Sequence, residues 1–525
     1  MRTTALRAEW NRLERESILR LQGQKLGSYL ENVVLPFSVN YQRVFEEGGL
    51  SAKDIRSVED LAKIPFTSKE DLLPTEENPR KSLDFAIIPD AEVLRRRPGN
   101  ILRALKVGPK KLKRELEREF RPSFMTSTTG RSTAPVPFLY TDHDIQNLKL
   151  AGLRAIEMGD AQSDERILNM FPYAPHLAYW LVYHAAREAN MFCVGTGGGK
   201  VMGTTGNLGL IERLKPAILV GMPTFVYHVL HQAVEEKKRF EGIRVLVLGG
   251  EKVAEGTRRK LIELCGMLGS EDVKVISTYG FTESKQAWPE APISRAEESS
   301  GFFTYPDLGI VEVIDPETGQ VQPEGVGGEV VFTPLDARGT VVLRYRTGDF
   351  IEHGLQYSEC PITGMTAPRL VGRISRVSDR RSMRFQKVKG TIIDFSELEN
   401  LLDDTPGMGT YQIELRKKNN DPLAMDELVI HAVADGREES VLKKTLKKRF
   451  ESQLEIKPNE IHFCDWDEIK ERQKVGVEMK ELKFIDNREA AGKPAGAVGV
   501  EELAEANVKV NEGLEKEPEV EESAA

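Results

Sequence analysis

"PAILVGMP" at residues 216–223 and "IRVLVLGGE" at residues 243–251 each carry a short apolar run into a glycine or proline turn. Runs this short, bounded by turn signals, read as strands buried on both faces. From about residue 145 to 290 such runs alternate with helical patterns. That alternation predicts parallel strands joined by crossover helices, so the fold class is α/β.

Outward from this centre the pattern changes twice. "LGIVEVIDPETGQ", "GVGGEVVFTPL" and "TVVLRYRTGDF", between residues 308 and 350, read as strands with Gly- and Pro-rich turns and predict a β-rich subdomain. After about residue 378, "TIIDFSELENLL", "YQIELRK", "ELVIHAVAD", "VLKKTLKKRFESQL" and "EIHFCDW" read as a small α+β domain. In the N-terminal part, "SVEDLAKIPFTSKEDLL" reads as two capped helical turns around Pro65. A length of 525 residues exceeds what one hydrophobic core supports. The expected division is therefore 1–378, 379–488 and an acidic tail, 489–525.

Charge is uneven. The net charge is −9, yet residues 488–525 hold ten acidic against four basic residues and few bulky apolar ones, which predicts disorder there. Residues 93–121 hold eleven Lys or Arg against three Glu, with Leu112, Leu116 and Phe120 at helical spacing. A solvated helix face is the favoured reading of that segment, with a membrane-surface or acidic-ligand role the minority one. Nothing in the balance of charge points to nucleic acid. The four cysteines are dispersed without a CxxC pair, and no apolar run is long enough for stable membrane insertion. A cytoplasmic enzyme or binding protein is the expectation.

Two stretches could cradle phosphates, "TSTTGRST" at 126–133 and "VMGTTGNLG" at 201–209. Such a loop needs small residues, amide donors, hydroxyls and a nearby cation. The neighbouring "VGTGGGKVMG" fails as a triphosphatase loop, because Val194 stands where a glycine is required and Val201 where Ser or Thr is required. "GTTG" at 203–206 opens a helix, so capping explains it. "TSTTGRST" adds four consecutive hydroxyls, Gly130 and the cation Arg131.

"STYGFTES" (277–284), "YRTGDF" (345–350) and "GRISRVSD" (372–379) follow in order. With "TSTTGRST" they resemble the ordered motifs of the adenylate-forming, or acyl-CoA synthetase, superfamily. "LAKIPFTSKEDLL" and the late "KFIDNR" are similar to the phenylacetate–CoA ligase family in particular. The resemblance spans about residues 20–488. It implies a large N-terminal AMP-binding domain, with mixed sheets, helices and a β-rich subdomain, and a small mobile α+β C-terminal domain. It implies ATP, Mg2+ and coenzyme A as cofactors or co-substrates, a small-molecule carboxylic acid as partner, and formation of an acyl-adenylate and then a thioester. A homodimer is compatible with it. Two further readings stay open: a relative that does not use coenzyme A, and a degenerate nucleotide-binding paralogue.

Residue by residue, the resemblance implies that Thr128, Thr129, Gly130 and Arg131 hold the β- and γ-phosphates and that Glu283 holds magnesium. Gly249, Gly250 and Glu251, with Tyr279, Gly280 and Thr282, line the nucleotide pocket. Asp349 accepts from the ribose hydroxyls, and Arg373 contacts ribose or phosphate. His176 in "FPYAPHLAY" stands near the acyl site, approached also by Pro223, Thr224 and Phe225. Lys480 in "EMKELKFIDNR" bridges carboxylate and α-phosphate, and the hinge lies near Asp379. The sequence departs from the family pattern at Ser127, Arg131 and Met479. "CPITG" retains one cysteine of a knuckle, so no zinc is expected.

Overall fold

The computed structural model of the chain describes residues 10–128, 135–294, 297–377, 387–388, 391–392, 395–418, 426–453, 457–475 and 482–488. The acidic tail, Lys480, Asp379, and Thr129, Gly130 and Arg131 lie outside the described residues.

The two opening runs are strands. A six-stranded sheet contains β3 (Arg166–Asn169), β4 (Phe192–Gly195), β5 (Ile218–Gly221), β6 (Val245–Leu248), β7 (Lys274–Phe281) and β8 (Gln286–Pro289), in the order β4-β3-β5-β6-β7-β8. All neighbours are parallel except β7 and β8. Helices cover both faces, as buried parallel strands require. Leu168, Leu219, Leu246 and Leu248 pack into a core with α8 (Gly198–Leu214), α9 (Pro223–Glu235) and α10 (Glu255–Met267). The alternate residues Ile167, Ile218, Val220 and Val245 point to the other face, where α6 (Asp142–Met158) and α7 (Leu177–Glu188) lie. Gly152 lets those two helices approach closely, since a Cβ there would stand 2.4 Å from that of Ala185.

The phosphate-loop candidate sits between β1 (Pro122–Ser127) and β2 (Pro137–Thr141), an antiparallel pair. The rival "GTTG" lies inside α8, whose helical path is broken at Gly203 with φ of 61°. The β-rich region forms a second sheet of β9 (Gly309–Ile314), β10 (Gly328–Pro334), β11 (Tyr345–Ile351) and β12 (Ile374–Arg376). Arg154 of α6 reaches it with a buried fork to Asp307, at 2.7 and 2.9 Å. The two capped turns around Pro65 are 3-10 turns at Glu59–Lys63 and Glu70–Leu72, with Asp60 and Asp71 accepting from the amides of Ser57 and Ser68.

The basic segment is three helices rather than one: α3 (Ala91–Arg96), α4 (Pro98–Val107) and α5 (Pro109–Phe120). Pro98 and Pro109 start new helices because their rings fit a first turn and break an interior. Leu112 and Phe120 are buried as their spacing predicts.

The C-terminal part holds a sheet of β13 (Met408–Lys417), β14 (Asp426–Ala434), β15 (Glu460–Phe463) and β16 (Phe484–Asp486), ordered β15-β14-β13-β16. It has its own apolar core with α11 (Phe395–Asp403) and α12 (Glu439–Gln453). α13 (Trp466–Arg472) rests Trp466 on the His231 ring of α9, centroids 4.1 Å apart. Lys260 of α10 donates to the Gly409 carbonyl at 3.0 Å, and burial pushes its ammonium down to about 8.

Candidate functional site

The C-terminal ends of the parallel strands open into a cavity of about 1460 Å3, bounded also by β11 and β12. This is where doubly covered parallel sheets place ligands, because the loops leaving the strands diverge there.

Glu283 stands in the 3-10 turn Thr282–Ser284 that ends β7. It keeps surface on the cavity while protein encloses it otherwise. The Tyr345 hydroxyl donates to its Oε1 at 2.7 Å. Burial raises the Glu283 carboxyl above the ordinary glutamate range, outweighing that hydrogen bond. Such a carboxylate gains from any cation that enters.

Asp349 lies on β11, which carries a bulge against β10 in its register. Gly348 takes φ of 70°, and its amide donates to Glu329 at 3.1 Å. A bulge of this kind re-aims the following side chain. Asp349 accepts from the Tyr279 hydroxyl at 2.9 Å and pairs with Arg376 at 3.1 Å. Burial, followed by the nearby Asp349 charge, pushes the Tyr279 hydroxyl far up, so it stays a donor.

Thr128 borders the cavity and closes the base of its loop. Its amide donates to the Val136 carbonyl and its Oγ1 accepts from the Val136 amide, both at 3.0 Å. His176 also faces the cavity, and its Nδ1–H donates to the Ser127 carbonyl at 2.9 Å, which fixes the tautomer. Gly249, Gly250, Gly280 and Thr282 complete this wall. A Cβ on Gly249 would stand 2.4 Å from the Thr278 hydroxyl, and one on Gly280 would stand 2.8 Å from the Ala287 side chain. These close approaches demand glycine.

Other sequence-predicted residues fall elsewhere. Arg373 is exposed just before β12, its amide donating to Glu352 at 3.3 Å. Arg376, three residues on and so across the strand, borders the cavity opposite Asp349. Tyr279 stands behind Asp349 rather than on the cavity wall. Glu251 accepts from the Thr224 hydroxyl at 2.7 Å, placing its charge at the start of α9. Phe225 packs into the leucine-rich core on the far side of the sheet, while Met222 reaches the cavity. Neither Thr204 nor Thr205 of "VMGTTGNLG" borders it.

Sequence reasoning missed Lys69, Arg376 and Tyr345. Lys69 borders the cavity and acts on the Glu283 charge. The signal was present in "FTSKEDLL": the cap of Ser68 by Asp71 fixes the turn from which Lys69 projects.

Thr128→Val keeps the side-chain shape and removes the acceptor for the buried Val136 amide. An orphaned buried donor costs about 1–3 kcal/mol. The expected result is a several-fold rise in the KM for ATP, read by steady-state kinetics, with a lowered thermal midpoint.

Residues 143–334 match the family described as AMP-binding enzyme. The phenylacetate-coenzyme A ligase of Thermus thermophilus is 26% identical over 397 residues, covering 74% of this chain and 76% of that protein. The phenylacetate-coenzyme A ligase of Aromatoleum evansii is 24% identical over 463 residues, covering 86% of this chain and 90% of that one. In fold, a crystal structure of 2-hydroxyisobutyryl-CoA ligase in the postadenylation state superposes with a TM-score of 0.70 at 18% identity, covering 97% of this chain and 94% of that one. No helix among the described residues is long and apolar enough to cross a membrane. With the ordered motifs meeting at one cavity, and with these relatives matched over most of their length, the chain carries an AMP-binding enzyme match and is similar to the phenylacetate–coenzyme A ligases.

Proposed function

We infer that this chain is an AMP-forming carboxylate–coenzyme A ligase. The carboxylate attacks the α-phosphate of ATP, and pyrophosphate leaves. The thiol of coenzyme A then attacks the acyl carbon of the adenylate, and AMP leaves. The observation that carries this reading is convergence: Thr128, Glu283 and Asp349, from three distant motifs, border one cavity.

The first step brings two anions together, so the site must supply donors and cations where charge gathers. Lys69 and Arg376 provide positive charge on the cavity wall, and Arg131 and Lys480 carry the family's phosphate and bridging roles by resemblance. Asp349, held by Tyr279 and Arg376, suits the paired hydroxyls of a ribose. Magnesium, when bound, neutralises phosphate charge. That ion takes few protein carboxylates and completes its shell with water and phosphate oxygens, so one buried Glu283 fits it. Among the described residues no cluster of three His, Cys, Asp or Glu offers a dedicated cage. The division at residues 378 and 488 gives the late lysine a lobe of its own, able to leave after adenylation.

Pyrophosphate release from ATP across a panel of carboxylic acids, with and without coenzyme A, tests the reading. Thioester and AMP in equal amounts are expected. Adenylate formation indifferent to coenzyme A would mean an acyl-transferring relative. Silence across the panel would mean a binding paralogue. Arg131→Ala is expected to raise the KM for ATP at least tenfold and Thr205→Ala to leave it within twofold. Equal losses would move the phosphates to the other loop.

A further inference from the structure

The cavity is larger than an adenylate needs. Typical pockets for drug-sized ligands measure roughly 300–1,000 Å3, against about 1460 Å3 here. The excess volume has a direction. Beyond the nucleotide-binding wall the boundary runs down the sheet face through Val247 and Val245 of β6 and Val220 and Ile218 of β5. On the helix side it runs along α6 and α7 past Val182, Ile156 and Ala155, ending at Gly159 and Ala161. It thus passes between the sheet and its covering helices, from the C-terminal to the N-terminal edge of the strands.

Two observations support an open channel rather than ordinary packing. Val247 sits on β6, an inner strand of the sheet, yet is only half-buried. On the helix side Ala155 of α6 and Ala178 of α7 are small and only half-buried, where interiors normally interdigitate large side chains with few voids. The charged side chains on the cavity wall all belong to the nucleotide end. The inner arm has apolar walls.

We propose that the acid activated here carries an extended aliphatic tail, of roughly eight to twelve carbons, which threads this arm. The proposal rests on the ligase reading above, and it sets the carboxylate where the nucleotide wall meets the arm, by Gly249 and Gly250. From Gly249 to Val245 is four strand residues, roughly 13 Å at about 3.3 Å each. C–C bonds of ~1.5 Å in a zigzag advance about 1.25 Å per carbon, so some ten carbons span the arm. An aryl acid as short as phenylacetate fills only the outer half. Each further buried methylene then strengthens binding about fourfold until the arm is full.

The test is kcat/KM for pyrophosphate release and thioester formation by the full chain, with straight-chain acids of two to sixteen carbons and with phenylacetate. The expected series rises to an optimum near ten carbons and falls beyond about twelve, with decanoate at least a hundredfold above acetate and above phenylacetate. Ala155→Phe and Val245→Phe, entering the inner half from the helix and from the sheet, are each expected to move the optimum to six carbons or fewer. The decanoate-to-hexanoate ratio should drop at least tenfold in any variant that folds. A wild-type optimum at acetate or phenylacetate would overturn the proposal and leave the ligase reading standing. Pyrophosphate from no acid in the series would overturn the ligase reading itself, and the proposal with it.

Discussion

Exchanging Glu283 for Gln is expected to slow pyrophosphate release at least a hundredfold while making the ligand-free protein more stable to heat. The first effect follows from removing an enclosed carboxylate on the cavity wall, the proposed magnesium ligand. Loss of one charge-stabilising contact in a desolvated site costs about 3–4 kcal/mol of transition-state stabilisation. The second follows from linkage. Burial raises the Glu283 carboxyl above its ordinary value of 4.5, so the folded state holds that proton more tightly than the unfolded chain does. The resulting stability is present below the unfolded value and is lost as pH rises through the folded one. Gln has no such titration. The advantage of the variant in thermal midpoint should therefore grow with pH across and above the glutamate range. Scanning both proteins without ligand across that range tests this. A variant equally inactive but less stable at every pH would make Glu283 a packing residue, held for the Tyr345 hydroxyl alone.

The second large effect separates the half-reactions. Lys480 lies outside the described residues, and its role rests on the family motif. A lysine that bridges carboxylate and α-phosphate acts only while the adenylate forms. Lys480→Ala is expected to slow adenylation by about a hundred- to thousandfold. Thioester formation from supplied acyl-adenylate and coenzyme A should keep its rate. Single-turnover kinetics of the two steps gives the answer. Equal slowing of both would assign the residue to general support of the site. Normal adenylation would shift the role to Lys483 or Lys474.

The parts of the molecule legible in its sequence are those whose physics is local. Apolar runs ending in glycine announce β5 and β6 because a strand buried on both faces has no polar side to alternate. The turns around Pro65 are written in their serine and aspartate caps. Glu283 and Asp349 were found through the order of their motifs, and both border the cavity. What escaped depends on orientation. Arg373 and Arg376 belong to one motif, and only the pairing of β12 against β11, with Asp349 opposite Arg376, decides which faces the cavity. Phe225 and Met222 share a turn, and the start of α9 between them buries Phe225 in the leucine-rich core while Met222 reaches the cavity. Tyr279 is one position off the wall because β7 alternates through Thr278 and Gly280, so it supports Asp349 from behind. The apolar arm was invisible for a further reason. It arises from small residues on two helices meeting branched residues on β5 and β6, a coincidence that no single window of sequence contains.

The seam between α13 and α9 has an optical consequence. The chain has four tryptophans, Trp10, Trp180, Trp288 and Trp466, and only Trp466 belongs to the C-terminal lobe. It rests against the rings of His231 and Tyr227, at 4.1 and 5.6 Å between centroids, while Trp288 and Trp10 are buried in the N-terminal core. If the C-terminal part turns away to admit coenzyme A, as the proposed function requires, one indole would leave an imidazole for water. The other three would keep their surroundings. Trp466 would thus serve as an intrinsic fluorophore for that turn. With Trp180 and Trp10 replaced by Phe, stopped-flow emission would time the turn between the two chemical steps without any attached dye.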